Sequence, residues 1–73
     1  MPKELGDTLR FMRVLQQRSQ YDVGSRAGIT QSAVSAFERG TARPSPATLV
    51  ALAQTLEFDP TPFLNQARSE EPR

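Results

Sequence analysis

Helix start and stop signals follow one another so closely along this chain that only short helices fit between them. Ser19, Thr30, Ser45 and Asp59 each stand where a side-chain oxygen can accept a backbone N–H of a first helical turn. Gly28 and Gly40 each stand where a helix must end, because glycine tolerates the left-handed backbone that closes one. Two of the starts carry proline at the first helical position, Ser45-Pro46 and Asp59-Pro60, where a backbone N–H would have had no partner anyway. Ser19 followed by Asp22 resembles a capping box with Asp in the place of Glu. No stretch alternates apolar and polar residues between turn signals, so the expected class is all-α.

Apolar spacing fills in the elements. Leu5, Leu9, Met12 and Gln16 recur at helical intervals and predict a first helix from about Glu4 to Gln17 with one inward stripe. A short second helix after Ser19 turns Val23 and Ala27 inward and has no side-chain bulk at Gly24, and Ile29 plugs the turn that follows Gly28. Thr30 opens a third helix, Gln31 to Arg39, in which Ala33, Val34 and Phe37 are apolar while Ser32, Ser35, Ala36 and Arg39 face elsewhere. The fourth helix places Leu49, Leu52, Ala53 and Leu56 at i, i+3, i+4 and i+7. Phe63, Leu64 and Ala67 predict a short fifth, ahead of a charged tail from Ser69 that is expected to be disordered.

Length and composition narrow the function. With 73 residues there is material for one small core, and a fold of that size buries only about 60% of the surface its unfolded chain exposes, so self-association is an expected source of stability. Cysteine and histidine are both absent, which excludes disulfides, zinc-finger geometries, thiol nucleophiles and imidazole acid–base chemistry. Lys3 is the only lysine, and no phosphate loop or metal-ligand cluster is visible, so neither an enzyme nor a cofactor is expected. No apolar run approaches the roughly 18 residues of a membrane span, and residues 1–8 lack the basic-then-apolar order of a signal peptide. The expectation is a soluble cytoplasmic protein.

The net charge of +1 hides an uneven distribution. Between residues 8 and 43, Arg10, Arg13, Arg18, Arg26, Arg39 and Arg43 face only Asp22 and Glu38, a balance of +4. From residue 44 onward, Arg68 and Arg73 face Glu57, Asp59, Glu70 and Glu71, a balance of −2. The basic segment contains the second and third helices together with the later part of the first, and two helices joined by a glycine-containing turn describe a helix-turn-helix. The second helix of such a unit projects from the surface, and the major groove of B-DNA, about 12 Å wide, accepts one α-helix. An ordinary pair of core helices is the plainer reading of the same spacing.

From Leu5 to Leu64 the chain resembles the Cro/CI-type helix-turn-helix domains of the XRE family. The resemblance is carried by Leu9-Arg10, Met12-Arg13, Ser19-Gln20, Val23, Ala27-Gly28-Ile29-Thr30-Gln31-Ser32, Val34-Ser35, Phe37-Glu38-Arg39-Gly40, Arg43-Pro44-Ser45 and Thr48-Leu49. It implies a compact five-helix bundle of the lambda-repressor-like type, with residues 1–68 as one domain, the helix-turn-helix unit at about 19–40 and the tail at 69–73. Small phage repressors, restriction-modification controller proteins and antitoxins share this description.

The resemblance also implies site roles. Base edges would be read by Gln31, Ser32, Ser35 and Ala36; of these Gln31 suits the task best, since an amide can pair bidentately with adenine, whereas serine is promiscuous and an alanine methyl meets only a thymine methyl. Phosphates would be held by Gln20, Thr30, Arg39 and Arg43, Gln20 at a helix start where free N–H groups and the helix dipole favour an anion. Tyr21 either donates to a phosphate or covers its helix. Arg13 and Glu38 are implied as a structural ion pair between the first and third helices. Phe58, Phe63 and Leu64 lie where small members of the family associate, with Phe11 and Leu15 as a rival patch.

Two departures from the family pattern bear on the fold. Gln17-Arg18 stands where a glycine and a core leucine are common, leaving the first loop open, with Leu15 expected to supply the missing core contact. Glu57 stands where a glycine often closes the fourth helix. Phe11, Val14 and Leu15 either complete the core of a small domain, the favoured expectation, or mark a partner surface. The expected function is a sequence-specific double-stranded DNA-binding regulator, a homodimeric repressor on a pseudo-palindromic operator, associated with the nucleoid. The alternative is a protein-interaction module or antitoxin-like partner protein whose own DNA binding is weak.

Overall fold

The second, third and fourth helices each begin where a cap stands. In the computed structural model, which describes residues 3–64, the chain forms α1 (Lys3–Leu15), α2 (Gln20–Ala27), α3 (Gln31–Arg39) and α4 (Pro46–Leu56), then one further turn, α5, over residues 61–64. The architecture is the all-α, five-helix arrangement expected from the sequence. Ala67 and the tail from Ser69 lie outside the described residues. Ser19, Thr30 and Ser45 each accept the N–H three residues on, from Asp22, Ala33 and Thr48, at 2.9, 3.0 and 3.2 Å. Asp59 accepts from the Thr61 N–H at 3.0 Å. Its bonds to the Thr61 backbone and side chain hold the Asp59 carboxyl below the ordinary aspartate value, so this cap persists at neutral pH and is lost only as the pH falls through that lowered value. The expected capping box at Ser19 is half built: the serine caps, but the Asp22 carboxylate takes Arg18 at 3.3 Å and Arg26 at 3.2 Å instead of returning to Ser19.

All four long helices close with the same left-handed turn, on glycine in two cases and not in the others. Gly28 and Gly40 have φ of 79° and 77°, Gln17 and Glu57 of 58° and 63°. In each the next residue reaches back five positions: Arg18 N–H to the Arg13 carbonyl at 2.9 Å, Ile29 to Gly24 at 2.8 Å, Thr41 to Ala36 at 3.0 Å and Phe58 to Ala53 at 3.1 Å. These bonds satisfy carbonyls that a helix end leaves without partners. The turn left open by the sequence is therefore a left-handed cap on Gln17, and α1 stops at Leu15 rather than running to Gln17. Left-handed backbone costs a non-glycine residue about 1–2 kcal/mol.

Leu9, Val23, Val34, Leu52 and Leu56 are buried together, and Leu5, Met12, Ala27, Ile29, Phe37 and Phe58 pack around them. Leu49 and Ala53 complete the inner side of α4. The amide of Gln16 donates to the Leu56 carbonyl at 2.7 Å, tying the end of α1 to the end of α4. Two glycines set how closely the layers approach. A Cβ on Gly6 would lie 2.5 Å from the Glu38 carbonyl oxygen and 2.7 Å from that of Phe37; one on Gly24 would lie 2.8 Å from the carbonyl oxygen of Ile29.

The expectation that Phe11, Val14 and Leu15 complete the core is overturned. They are 63%, 59% and 64% exposed. The reason is rotational: at 3.6 residues per turn, Phe11, Val14 and Leu15 lie on the side of α1 opposite Gly6, Leu9 and Arg13, which meet α3 and the core. Leu15 supplies no core contact.

Candidate nucleic-acid interface

The inner side of α3 is fixed by burial, and that decides what its outer side presents. Val34 is 1% exposed and Glu38 6%, with Phe37 against the core. Gln31 and Ser32 in the first turn and Arg39 in the last are left exposed, with Ser35 and Ala36 half-buried between them. Arg39 Nε donates to Ser35 Oγ at 3.2 Å, so the guanidinium stem lies back along the helix and engages one of the residues expected to read bases. Thr30 spends its Oγ1 as acceptor on the Ala33 N–H and keeps its own O–H as a donor. Arg43 is exposed beyond α3, and Tyr21 is 68% exposed in the first turn of α2.

Behind this surface lies a buried carboxylate. The Glu38 side chain is 1% exposed, and burying a charge is costly unless it is paired and hydrogen-bonded. Arg13 supplies a fork, Nε to Oε2 at 2.6 Å and Nη2 to Oε1 at 3.1 Å. Its Nη1 donates to the Arg18 carbonyl at 3.0 Å. Bidentate pairing of this kind gives direction as well as energy. Gln20 Nε2 adds a bond to Oε1 at 3.2 Å, and Arg10 Nε stands 3.8 Å from the same oxygen while its side chain is 65% exposed. One carboxylate on α3 thus gathers α1, the turn after it, and the first residue of α2. No buried side-chain nitrogen or oxygen among the described residues lacks a partner.

This arrangement qualifies the role expected of Gln20: one of its two amide hydrogens is committed to Glu38, so only the other can serve a further acceptor. The residues expected at a dimer interface are partly committed too. Phe58 packs against the core and meets Phe63 edge to face, ring centroids 6.1 Å apart at 86°, and Phe58, Phe63 and Leu64 are all half-buried. Among the described residues no group of three or more acidic side chains is placed to hold a metal ion, and no helix is long and apolar enough to cross a membrane.

Sequence reasoning missed Gly6 and the approach of Arg10 to Glu38. Gly6 had a usable signal: a glycine inside a helix costs about 1 kcal/mol relative to alanine, so its place in line with Leu9 and Arg13 asks for a packing reason. Arg10, one turn before Arg13, had none apart from position.

The helix-turn-helix domain family matches residues 4–64. An uncharacterized HTH-type transcriptional regulator of Sinorhizobium fredii is 41% identical over 51 residues, which is 70% of this chain and 26% of that protein. The chain thus spans about a quarter of the length of that curated relative. Among solved structures, the P22 c2 repressor protein in complex with a synthetic operator superposes with a TM-score of 0.75 at 28% identity, covering 77% of this chain and 85% of that one. The restriction-modification controller protein C.AhdI from Aeromonas hydrophila gives 0.77 at 28% identity, covering 82% and 91%. The fold is of the lambda-repressor-like type that the sequence resemblance implied.

Proposed function

This chain belongs to the helix-turn-helix domain family, and on that footing we propose that it is a sequence-specific double-stranded DNA-binding transcriptional regulator of the repressor or controller type. The observation that carries the reading is the division of α3: one side is locked by Val34, Phe37 and the Glu38 cluster, and the other offers Gln31, Ser32 and Arg39 to solvent at the surface. A helix so held enters a major groove without first paying for its own ordering. Gln31 reads a base edge, with Ser32 and Ala36 beside it and Ser35 sharing its hydroxyl with Arg39. Thr30, Arg39, Arg43 and the second amide hydrogen of Gln20 hold phosphates, which position the helix without reading sequence.

Residues 1–68 act as one domain in this reading, working in the cytoplasm on the nucleoid. One such module makes few base contacts, so two copies pair on a pseudo-palindromic operator with half-sites about 34–36 Å apart. The surface around Phe58, Phe63 and Leu64 joins them. The test is selection of binding sites from a randomised duplex pool at about 0.1 M salt with nonspecific competitor, followed by stoichiometry on the selected duplexes. The expected result is one enriched inverted repeat bound by two chains, with Gln31→Ala relaxing the preference at one or two bases only. No enrichment from folded protein would overturn the reading in favour of a protein-interaction module.

A further inference from the structure

Two guanidinium groups converge on the single carboxylate of Glu38, and together they carry more charge than it can meet. Its Oε1 already accepts from Arg13 Nη2 at 3.1 Å and from Gln20 Nε2 at 3.2 Å, which occupies the lone pairs of that oxygen. Arg10 Nε stands 3.8 Å from the same atom, beyond hydrogen-bond length. The Arg13 side chain is sunk beside Glu38 at 16% exposed, whereas that of Arg10 is 65% exposed. Arg10 is thus drawn to the cluster by its charge without being hydrogen-bonded to it, and one surplus positive charge is displayed at the surface. Gln20 lies beside it. Both side chains approach one oxygen, so Gln20 Nε2 and Arg10 Nε are no farther apart than those 3.2 and 3.8 Å laid end to end. A cation and an amide hydrogen that Glu38 leaves unused therefore stand within reach of one small anion.

We infer that Arg10 is a further phosphate-binding residue of this chain, and that it grips one phosphodiester of duplex DNA together with the second amide hydrogen of Gln20. The inference rests on the DNA-binding reading above and adds α1 to an interface otherwise built from α2, α3 and the segment after α3. A phosphodiester suits the pair because it brings one negative charge on two outward oxygens, and a guanidinium matches phosphate geometry with parallel N–H bonds. Glu38 then has a second task. While the Arg13 fork satisfies it, its charge also keeps Arg10 close to Gln20, so less side-chain freedom is lost when the phosphate arrives. The contact positions the protein and reads no base. Arg10 is held at Glu38 in the last turn of α3, whereas Gln31 stands in the first, so a change at Arg10 alters affinity and salt dependence and leaves base preference as it was.

The salt dependence of binding by the full chain tests it, on a duplex from the site selection and a scrambled duplex side by side. Arg10→Gln is expected to flatten the slope of log affinity against log salt by about 0.9 for each bound chain, to weaken both duplexes by the same factor and to keep the preference between them. Arg10→Lys, which keeps the charge, is expected to restore the slope. The thermal melt of Arg10→Gln should match the wild type, because Arg13 still satisfies Glu38; a lowered melt with an unchanged slope would mean that Arg10 serves the Glu38 cluster alone and would overturn the inference. Replacing backbone phosphates one at a time with neutral methylphosphonate then locates the contact. One position for each bound chain should weaken the wild type but not Arg10→Gln, and should matter less to Gln20→Ala than to the wild type. The absence of such a position, or its indifference to Gln20→Ala, would also overturn the inference. A folded wild type with no affinity for either duplex would sink the regulator reading and this one together. Binding whose base preference responds to Gln31→Ala while its slope ignores Arg10→Gln would remove Arg10 alone.

Discussion

On the side of α1 that meets α3, Gly6 leaves no room for a methyl group, Leu9 is 1% exposed and Arg13 forks onto a buried carboxylate. On the opposite side of the same thirteen-residue helix, three large apolar side chains stand about three-fifths exposed. Both sides are apolar enough to serve as a core face by composition. What separates them is the element that comes to meet them, since α3 can approach only where its carbonyls find a glycine and its carboxylate finds a guanidinium. Apolar spacing locates a helix, then, but steric and ionic complementarity choose which of its sides the fold uses.

The largest expected effect lies on the inner side. Glu38→Ala removes the charge that Arg13 was ordered to meet and is expected to cost about 3–5 kcal/mol in urea or thermal melts. An unchanged melt would break the comparison at its strongest point. Gly6→Ala should cost about 1–3 kcal/mol although alanine is the better helix former, because the added methyl meets backbone oxygen that cannot move aside. A neutral or stabilising result would mean that α1 and α3 can separate freely. At the end of α1, Gln17→Gly is expected to gain about 0.5–1 kcal/mol, the relief of left-handed strain less the extra chain entropy of glycine. The same gain at Glu57→Gly would show that the benefit belongs to the turn geometry and not to its sequence. Smallest of all, Phe11→Ser on the outer side should leave monomer stability within about 0.5 kcal/mol, and a large loss there would erase the difference between the two sides.

The candidate site was legible where it depends on local signals. Thr30 before Gln31, Gly40 after Arg39, and the apolar spacing of Val34 and Phe37 fix which α3 side chains can face out, and all of these are properties of one short segment. The commitments that cross between segments were not legible in this way. Nothing near Gln20 in the chain announces that its amide bonds to Glu38, nothing near Ser35 distinguishes a free hydroxyl from one engaged by Arg39, and Leu15 carries the same apolar signal whether it is buried or exposed. The family resemblance paired Arg13 with Glu38, but the fork geometry and the presence of Arg10 and Gln20 around that carboxylate belong to the packed molecule.

By itself the sequence determined the number of helices, the capped beginnings of all but the first and the residues of the buried cluster, because each is set by hydrogen-bonding and apolar periodicity over a few neighbours. That α1 and α4 close on left-handed Gln17 and Glu57, where the sequence offers no glycine, was decided by the structure. The tertiary structure alone decided that Phe11, Val14 and Leu15 stay outside the core that the Leu5, Leu9 and Met12 stripe joins, where Gln16 finds the end of α4, and how many groups share the charge of Glu38. Those outcomes depend on distances between segments far apart in the chain, and such distances are fixed only when close packing leaves a single arrangement in which backbone oxygen, glycine and buried charge all fit.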